Sequence, residues 1–301
     1  TAGTVSAAAL LRGEPGYLVS VVDLPYHATA VVIGLAIVGV AVAGVLESLT
    51  VAAVFTALEV LGLVLVVHAG FTAPATGDFT APAGIAWAGV ASAAVLAFFA
   101  FIGFEDIVNM AEEVKRPERV LPRAILLSLA ITAALYALVS YAAVRAVPLD
   151  RLGPSEQPLA LVWRAGHGGS GHFLSLIAVA AALNGVLAQI VMAARVLFGL
   201  GRRNRAFAVF HRAHSRLGTP VQATLLVGAL VIAGALALEV AALAEVTSVI
   251  LLVAFVLVNA ALIAAKRRGP ALAPFTVPMA VPVFGLLAAL AALGVNAWVA
   301  S

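Results

Sequence analysis

The sequence predicts an all-α protein that crosses a membrane many times. Three observations predict it. Of the 301 residues, 63% are hydrophobic and only 10% charged, with a mean hydropathy of +1.13, whereas soluble domains run near about 45–50% apolar and about 25% charged. The apolar residues fall in long runs of the length, roughly 20 residues, that spans about 30 Å of hydrocarbon as a helix. The basic residues sit in short loops between those runs. The net charge of +3 therefore marks topology and not nucleic-acid binding. No ten-residue alternation suggests a membrane barrel.

The runs lie at about 26–46, 51–70, 85–111, 123–146, 172–200, 219–238, 245–265 and 277–300. A shorter run at 1–11 reads as the remains of a helix that began earlier, so the count is about eight full spans and a partial one. The chain looks cut at both ends, begins at Thr1 and shows no signal peptide. Pro and Gly punctuate the connections GEPG, TAPATGDFTAPAG, RLGPSEQP and RGPALAP, as turns between helices require. With connections this short, residues 1–301 form a single transmembrane domain with no room for an enzyme domain outside the bilayer.

Orientation follows from Lys and Arg. Lys115, Arg116, Arg119 and Arg123 lie in one loop, Arg202, Arg203, Arg205, Arg212 and Arg216 in a second, and Lys266, Arg267 and Arg268 in a third. All twelve fall on one side of the alternating topology. The other side holds only Arg12, Arg145, Arg151 and Arg164. The charge cluster 112–123 and the loop 201–218 are thus expected in the cytoplasm, and the protein in the plasma membrane. On the opposite side Trp87 suits an interfacial anchor, and PLALVWRAG (158–166) a short helix lying on the surface.

Chemistry-bearing residues are few. There is no cysteine, and the histidines (His27, His68, His167, His172, His211, His214) show no metal-ligand spacing. No nucleophile–base pair or metal cluster lies within a span. The sequence points to no metal, no cofactor and no enzyme.

FFAFIGFEDIVNMAEEVKRPERVLP (98–122) is the most informative stretch. Trp87 to Glu105 is eighteen residues, about 27 Å of straight helix, so Glu105 fits the inner interface with IVNMA as an amphipathic tail. The run 85–111 is, however, longer than a span needs, and it contains Gly103 between bulky Ile102 and Phe104. A glycine there permits close packing or local unwinding. Unwinding frees backbone groups that must line a cavity or be paired. Both readings stay open on the residues alone.

Glu59 sits in an apolar run with apolar neighbours on both sides. An ionisable group inside a span is a functional candidate by default; the alternative is a glutamate that reaches the interface. Arg195 reads equally as a snorkelling arginine or a gate residue. Asn184, Gln189 and Asn259 read as hydrogen-bonding glue between helices or as ligands.

The stretch FFAFIGFEDIVNMAEEVKRPERVLPRAI resembles the sixth helix and following loop of the amino acid–polyamine–organocation (APC) superfamily. GVLESLTVAAVFTALEVLGLVLVVHAG (44–70) resembles that family's fourth-to-fifth helix junction, LNGVLAQIVMAARVLFGLGRRNR (183–205) its eighth helix, and TSVILLVAFVLVNAALIAAKRR (247–268) its tenth. The EEVKRP motif is fairly specific; the others are weaker but stand in the right order. The likeness covers late helix three to helix eleven, leaving helices one, two and twelve outside this sequence.

The resemblance implies a LeuT-type inverted-repeat transporter fold, truncated at both ends, with a second repeat at about 85–265 and substrate held at broken helices. It implies an amino acid permease, a secondary transporter working by alternating access, proton-coupled in the first reading. Amino acid or polyamine exchange, or a non-transporting scaffold or sensor, are the rivals. Its partners are then an amino acid and the lipid bilayer. By the same likeness Phe99, Ala100, Phe101, Ile102, Gly103 and Phe104 line the substrate site. Glu105 begins an inner half-helix, where a carboxylate suits the positive dipole end. Glu59 lies where some members place a lysine, and with Glu105 and Asn184 it is a candidate for coupling or gating. Glu112 and Glu113 read as loop residues paired with nearby basic side chains.

Overall fold

The computed structural model describes residues 2–18, 25–44, 49–76, 85–111, 114–155, 157–169, 171–269 and 276–300. Glu112 and Glu113, singled out above, lie outside the described residues. Among the described residues the secondary structure is helical throughout. The order is α1 (Ala2–Leu18), α2 (Tyr26–Ala43), α3 (Leu49–Thr72), α4 (Trp87–Ala100), a 3-10 segment (Phe104–Met110), α5 (Pro117–Ala146), α6 (Leu149–Leu152), α7 (Pro158–His167), α8 (His172–Arg203), a second 3-10 segment (Arg205–Phe210), α9 (Val221–Ala237), α10 (Val240–Arg267) and α11 (Ala280–Ala300).

Among the described residues seven stretches are long and apolar enough to cross a membrane: Tyr26–Ala43, Ala53–Thr72, Trp87–Val108, Pro117–Ala146, His172–Arg202, Val240–Arg267 and Ala280–Trp298. The run expected at 219–238 forms the shorter apolar helix α9, 17 residues, or about 25 Å. The GEPG stretch, read as a turn, is helical, because α1 continues through Pro15 to Leu18. A proline inside a helix removes one backbone hydrogen bond and crowds the carbonyl four residues earlier, which disfavours the helix without always ending it. The loop 201–218 is likewise not plain coil. Asn204 caps its 3-10 segment, its side-chain oxygen accepting from the Ala206 amide at 3.0 Å.

The chain divides into two compact units. The first comprises Gly3–Thr80 and Ala134–Leu243, the second Ala81–Ala133 and Ala244–Ser301, so the boundary falls within α5 and near the start of α10.

In the first unit α2 packs on α9 through small residues. A Cβ at Gly34 would come 2.6 Å from Ile232, and one at Gly228 would overlap Val38. Lipid tails are as apolar as the side chains they would replace, so association inside a bilayer relies on such close backbone approach. The Thr219 hydroxyl donates to the Val42 carbonyl at 2.7 Å and ties the same pair of helices at one end.

The stretch expected as a short surface helix forms α7, and one face of it is packed. Val162 is fully buried in a cluster with Val66, Ala73, Ala143, Ala146, Val147 and Leu174. At Gly166 the helix is so close to α3 that a Cβ would overlap the Ala69 backbone carbonyl. Arg145, in the last turn of α5, donates to the carbonyls of Gly70 and Ala73 at 2.7 Å each. It thereby satisfies acceptors that the end of α3 leaves without partners in its own helix.

In the second unit α4 packs on α11. Within α10 the Asn259 side-chain amide donates to the Phe255 carbonyl of its own helix at 2.8 Å. A Cβ at Gly285 would come 2.7 Å from Asn259.

Candidate functional site

The second unit contains a break in a membrane-spanning helix. Helix α4 ends at Ala100, and Phe101, Ile102 and Gly103 form a turn before the 3-10 segment begins at Phe104. The ladder tightens there: the Phe101 amide donates to the Phe98 carbonyl and the Ile102 amide to the Phe99 carbonyl, both at 3.1 Å. Gly103 has φ 121° and ψ −22°, a conformation that side-chain-bearing residues rarely adopt. A Cβ there would meet nothing within 4 Å. Dihedral freedom, and not lack of space, is what this position asks of glycine.

Glu105 folds back on the break. Its Oε2 accepts a hydrogen bond from the Gly103 amide at 2.9 Å, pairing a backbone donor that the lost α-helical ladder leaves open. The Asp106 amide closes the turn onto the Gly103 carbonyl at 3.1 Å. A carboxylate at the start of a helical segment also matches the positive end of its dipole.

Aromatic rings surround the turn. Phe255 of α10 meets Phe98 edge-on at 6.1 Å between ring centres and Phe104 at 5.9 Å. Phe99, Phe101, Ile102, Gly103, Phe104 and Glu105 are half-buried, and Ala100 is exposed. Phe255 was invisible to sequence reasoning. It stands in a long apolar run where nothing distinguishes it from packing.

The first unit holds a polar cluster built from three helices. Glu59 of α3, half-buried, accepts a hydrogen bond from the Asn184 side chain of α8. Tyr136 of α5, also half-buried, feels the charge of Glu59. The structure therefore joins Glu59 and Asn184, two candidates that lie far apart in the sequence, and adds a phenol. The only sequence signal for Tyr136 was a polar tip inside an apolar run, which also suits an interfacial anchor. An acid, an amide and a phenol can pass or hold a proton, or fix a cation, within an apolar surround.

The remaining candidates separate. Asn259 satisfies its amide within its own helix, Arg195 is exposed on α8, and Gln189 is half-buried on the same helix. The polar cluster lies in the first unit and the break in the second.

A family model described as "Amino acid permease" matches residues 15–301. An uncharacterized transporter of Mycobacterium tuberculosis is 37% identical over 210 residues, which is 68% of this chain and 47% of that protein. A branched-chain amino acid permease of Bacillus subtilis is 30% identical over 265 residues, 86% of this chain and 56% of the relative. A methylthioribose transporter of the same organism is 27% identical over 284 residues, 93% of this chain and 60% of the relative. The chain spans about half the length of the curated relatives it matches.

Proposed function

This chain belongs to the amino acid permease family, and on that footing we propose that it carries the substrate-binding break and the coupling carboxylate of a proton-coupled amino acid transporter. The family and the apolar helices show a multi-pass membrane protein, and family membership supports transport as its activity. The finer reading rests on the break at Phe101–Gly103. In hydrocarbon, backbone that leaves the α-helical ladder must be paired or must line a cavity, and an amino acid's ammonium and carboxylate are groups that such backbone can pair.

On this reading Phe99 to Phe104 form one wall of the substrate site, and the aromatic rings close over the bound side chain. The Gly103 amide is already held by Glu105, so a substrate carboxylate would have to displace that side chain to reach it. Substrate binding shifts the balance between inward-open and outward-open states by its differential affinity for them. Glu59 supplies the coupling: with Asn184 and Tyr136 around it, gain and loss of a proton changes how α3, α5 and α8 hold together. On the same reading the loops 112–123 and 201–218 face the cytoplasm of a plasma-membrane protein, which the bias of twelve basic residues toward one side of the alternating topology supports. Exchange without a proton is the second reading.

The test is uptake in proteoliposomes by the protein expressed from the longest reading frame that contains this chain. Labelled amino acids, polyamines and methylthioribose are supplied with and without a pH gradient. Accumulation of one amino acid class that collapses with the gradient supports symport. Saturable counterflow indifferent to the gradient supports exchange, and no saturable flux of any substrate would sink the proposal.

A further inference from the structure

Six histidines show no metal spacing in the sequence, yet the fold brings two of them together. His68 lies near the C-terminal end of α3 and His167 is the last residue of α7. Their ring centres are 5.4 Å apart with planes inclined at 37°, and both side chains are exposed. We propose that His68 and His167 form a two-point binding site for a late first-row divalent cation, Zn2+, Ni2+ or Cu2+, which clamps α7 to α3.

The spacing fits that chemistry. A metal–nitrogen bond of about 2.1 Å, with roughly 1.1 Å more to the ring centre, puts two imidazoles at a tetrahedral angle about 5.2 Å apart. Neutral imidazole suits zinc, copper and nickel, while magnesium and calcium prefer oxygen donors. Among the described residues no three His, Cys, Asp or Glu side chains gather. Water therefore completes the coordination shell, and the site is open and exchangeable, unlike a closed structural zinc site.

The surroundings hold the His167 ring and the backbone beneath both histidines in place. The His167 ring stacks on Trp163, with centres 4.2 Å apart and planes 5° from parallel, and Phe173 meets the indole edge-on at 4.8 Å. Next to the two histidines in the chain, Gly166 and Ala69 approach so closely that a Cβ on Gly166 would overlap the Ala69 carbonyl. Val66 and Val162 are fully buried, and Arg145 fastens the carbonyls of Gly70 and Ala73. Packing has therefore already met much of the ordering cost of bringing the two ligands together. Of the nearby cations, Arg145 has its guanidinium committed to those carbonyls and to the Phe71 ring face at 5.9 Å, and Arg164 stands three residues before His167 in the last turn of α7. The inference stands independently of what the protein transports.

The test uses the 301-residue chain without an affinity tag, in detergent micelles. Zn2+ and Ni2+ are titrated by calorimetry and followed by thermal unfolding, with Mg2+ as the control. Saturable binding of one ion per chain and a raised Tm are expected for Zn2+ and Ni2+ and not for Mg2+. H68Q and H167Q should each weaken binding at least about tenfold, as loss of one of two ligands implies, and the double variant should abolish the shift. Cu2+ bound to the unmodified chain provides a measurement that needs no variant: its electron paramagnetic resonance spectrum should show two nitrogen ligands. A single nitrogen, or unchanged affinity in either single variant, would overturn the site.

Discussion

The Asn184 side chain hydrogen-bonds Glu59 across α8 and α3. The two residues lie far apart in the sequence, and the contact exists only because the two helices pack. If Glu59 carries the coupling proton, E59Q fixes a neutral side chain that still offers groups to Asn184. Gradient-driven accumulation and its pH dependence should then disappear while counterflow exchange persists. Concentrative uptake by E59Q with the original pH response would remove Glu59 from the coupling step. N184A, by contrast, deletes one interhelical hydrogen bond and should cost about 0.6 kcal/mol, with about 1.7 kcal/mol as a ceiling.

Gly103 carries the second prediction. At φ 121° a leucine is strained by about 1–3 kcal/mol, although the space beside the Cα is open. G103L should still insert in the membrane, since leucine favours insertion, but should lose substrate-induced thermal stabilisation. Equal stabilisation of G103L and the parent would make the break an ordinary packing feature.

Glu105 is the matched control for Glu59. E105Q retains an oxygen that can accept from the Gly103 amide, so the turn should survive, with a loss of affinity or stability from the missing charge. The pH profile of uptake should keep its shape. A flattened profile in E105Q alone would transfer the coupling role from Glu59 to Glu105.

Arg145 supports α3, and its loss should be visible in stability. R145A leaves the Gly70 and Ala73 carbonyls without their donor, at roughly 1–3 kcal/mol for each buried group left unpaired. R145K restores a charge on a point donor in place of a planar fork and should recover part of the loss. Thermal unfolding in detergent measures both, and a Tm for R145A equal to the parent's would show that water substitutes for the guanidinium.

The break shows how far local chemistry can be read. One glycine among bulky neighbours in a run too long for one span made a break possible there, because the permissive dihedrals of glycine are a property of the residue itself. The likeness to the APC superfamily chose that reading over a continuous helix. Glu105 was placed at the start of the following segment by the same likeness, and its bond to the Gly103 amide is a contact between residues two apart. GEPG was misread for the converse reason: proline and glycine permit a turn without compelling one, and α1 continues through them.

Membrane residence and the approximate ends of the apolar helices were determined by the sequence alone, because each depends on composition or on neighbours within a few residues; the break was legible only through likeness to a family. Only the tertiary structure set Asn184 and Tyr136 beside Glu59, Phe255 between Phe98 and Phe104, and His68 against His167. Each of these groups draws side chains from different helices. Hydropathy measures how strongly a helix prefers lipid or protein over water, which is nearly the same for all these spans. The choice of partner rests instead on short-range fit, such as Gly166 against the Ala69 backbone, and that fit exists only once the helices have met.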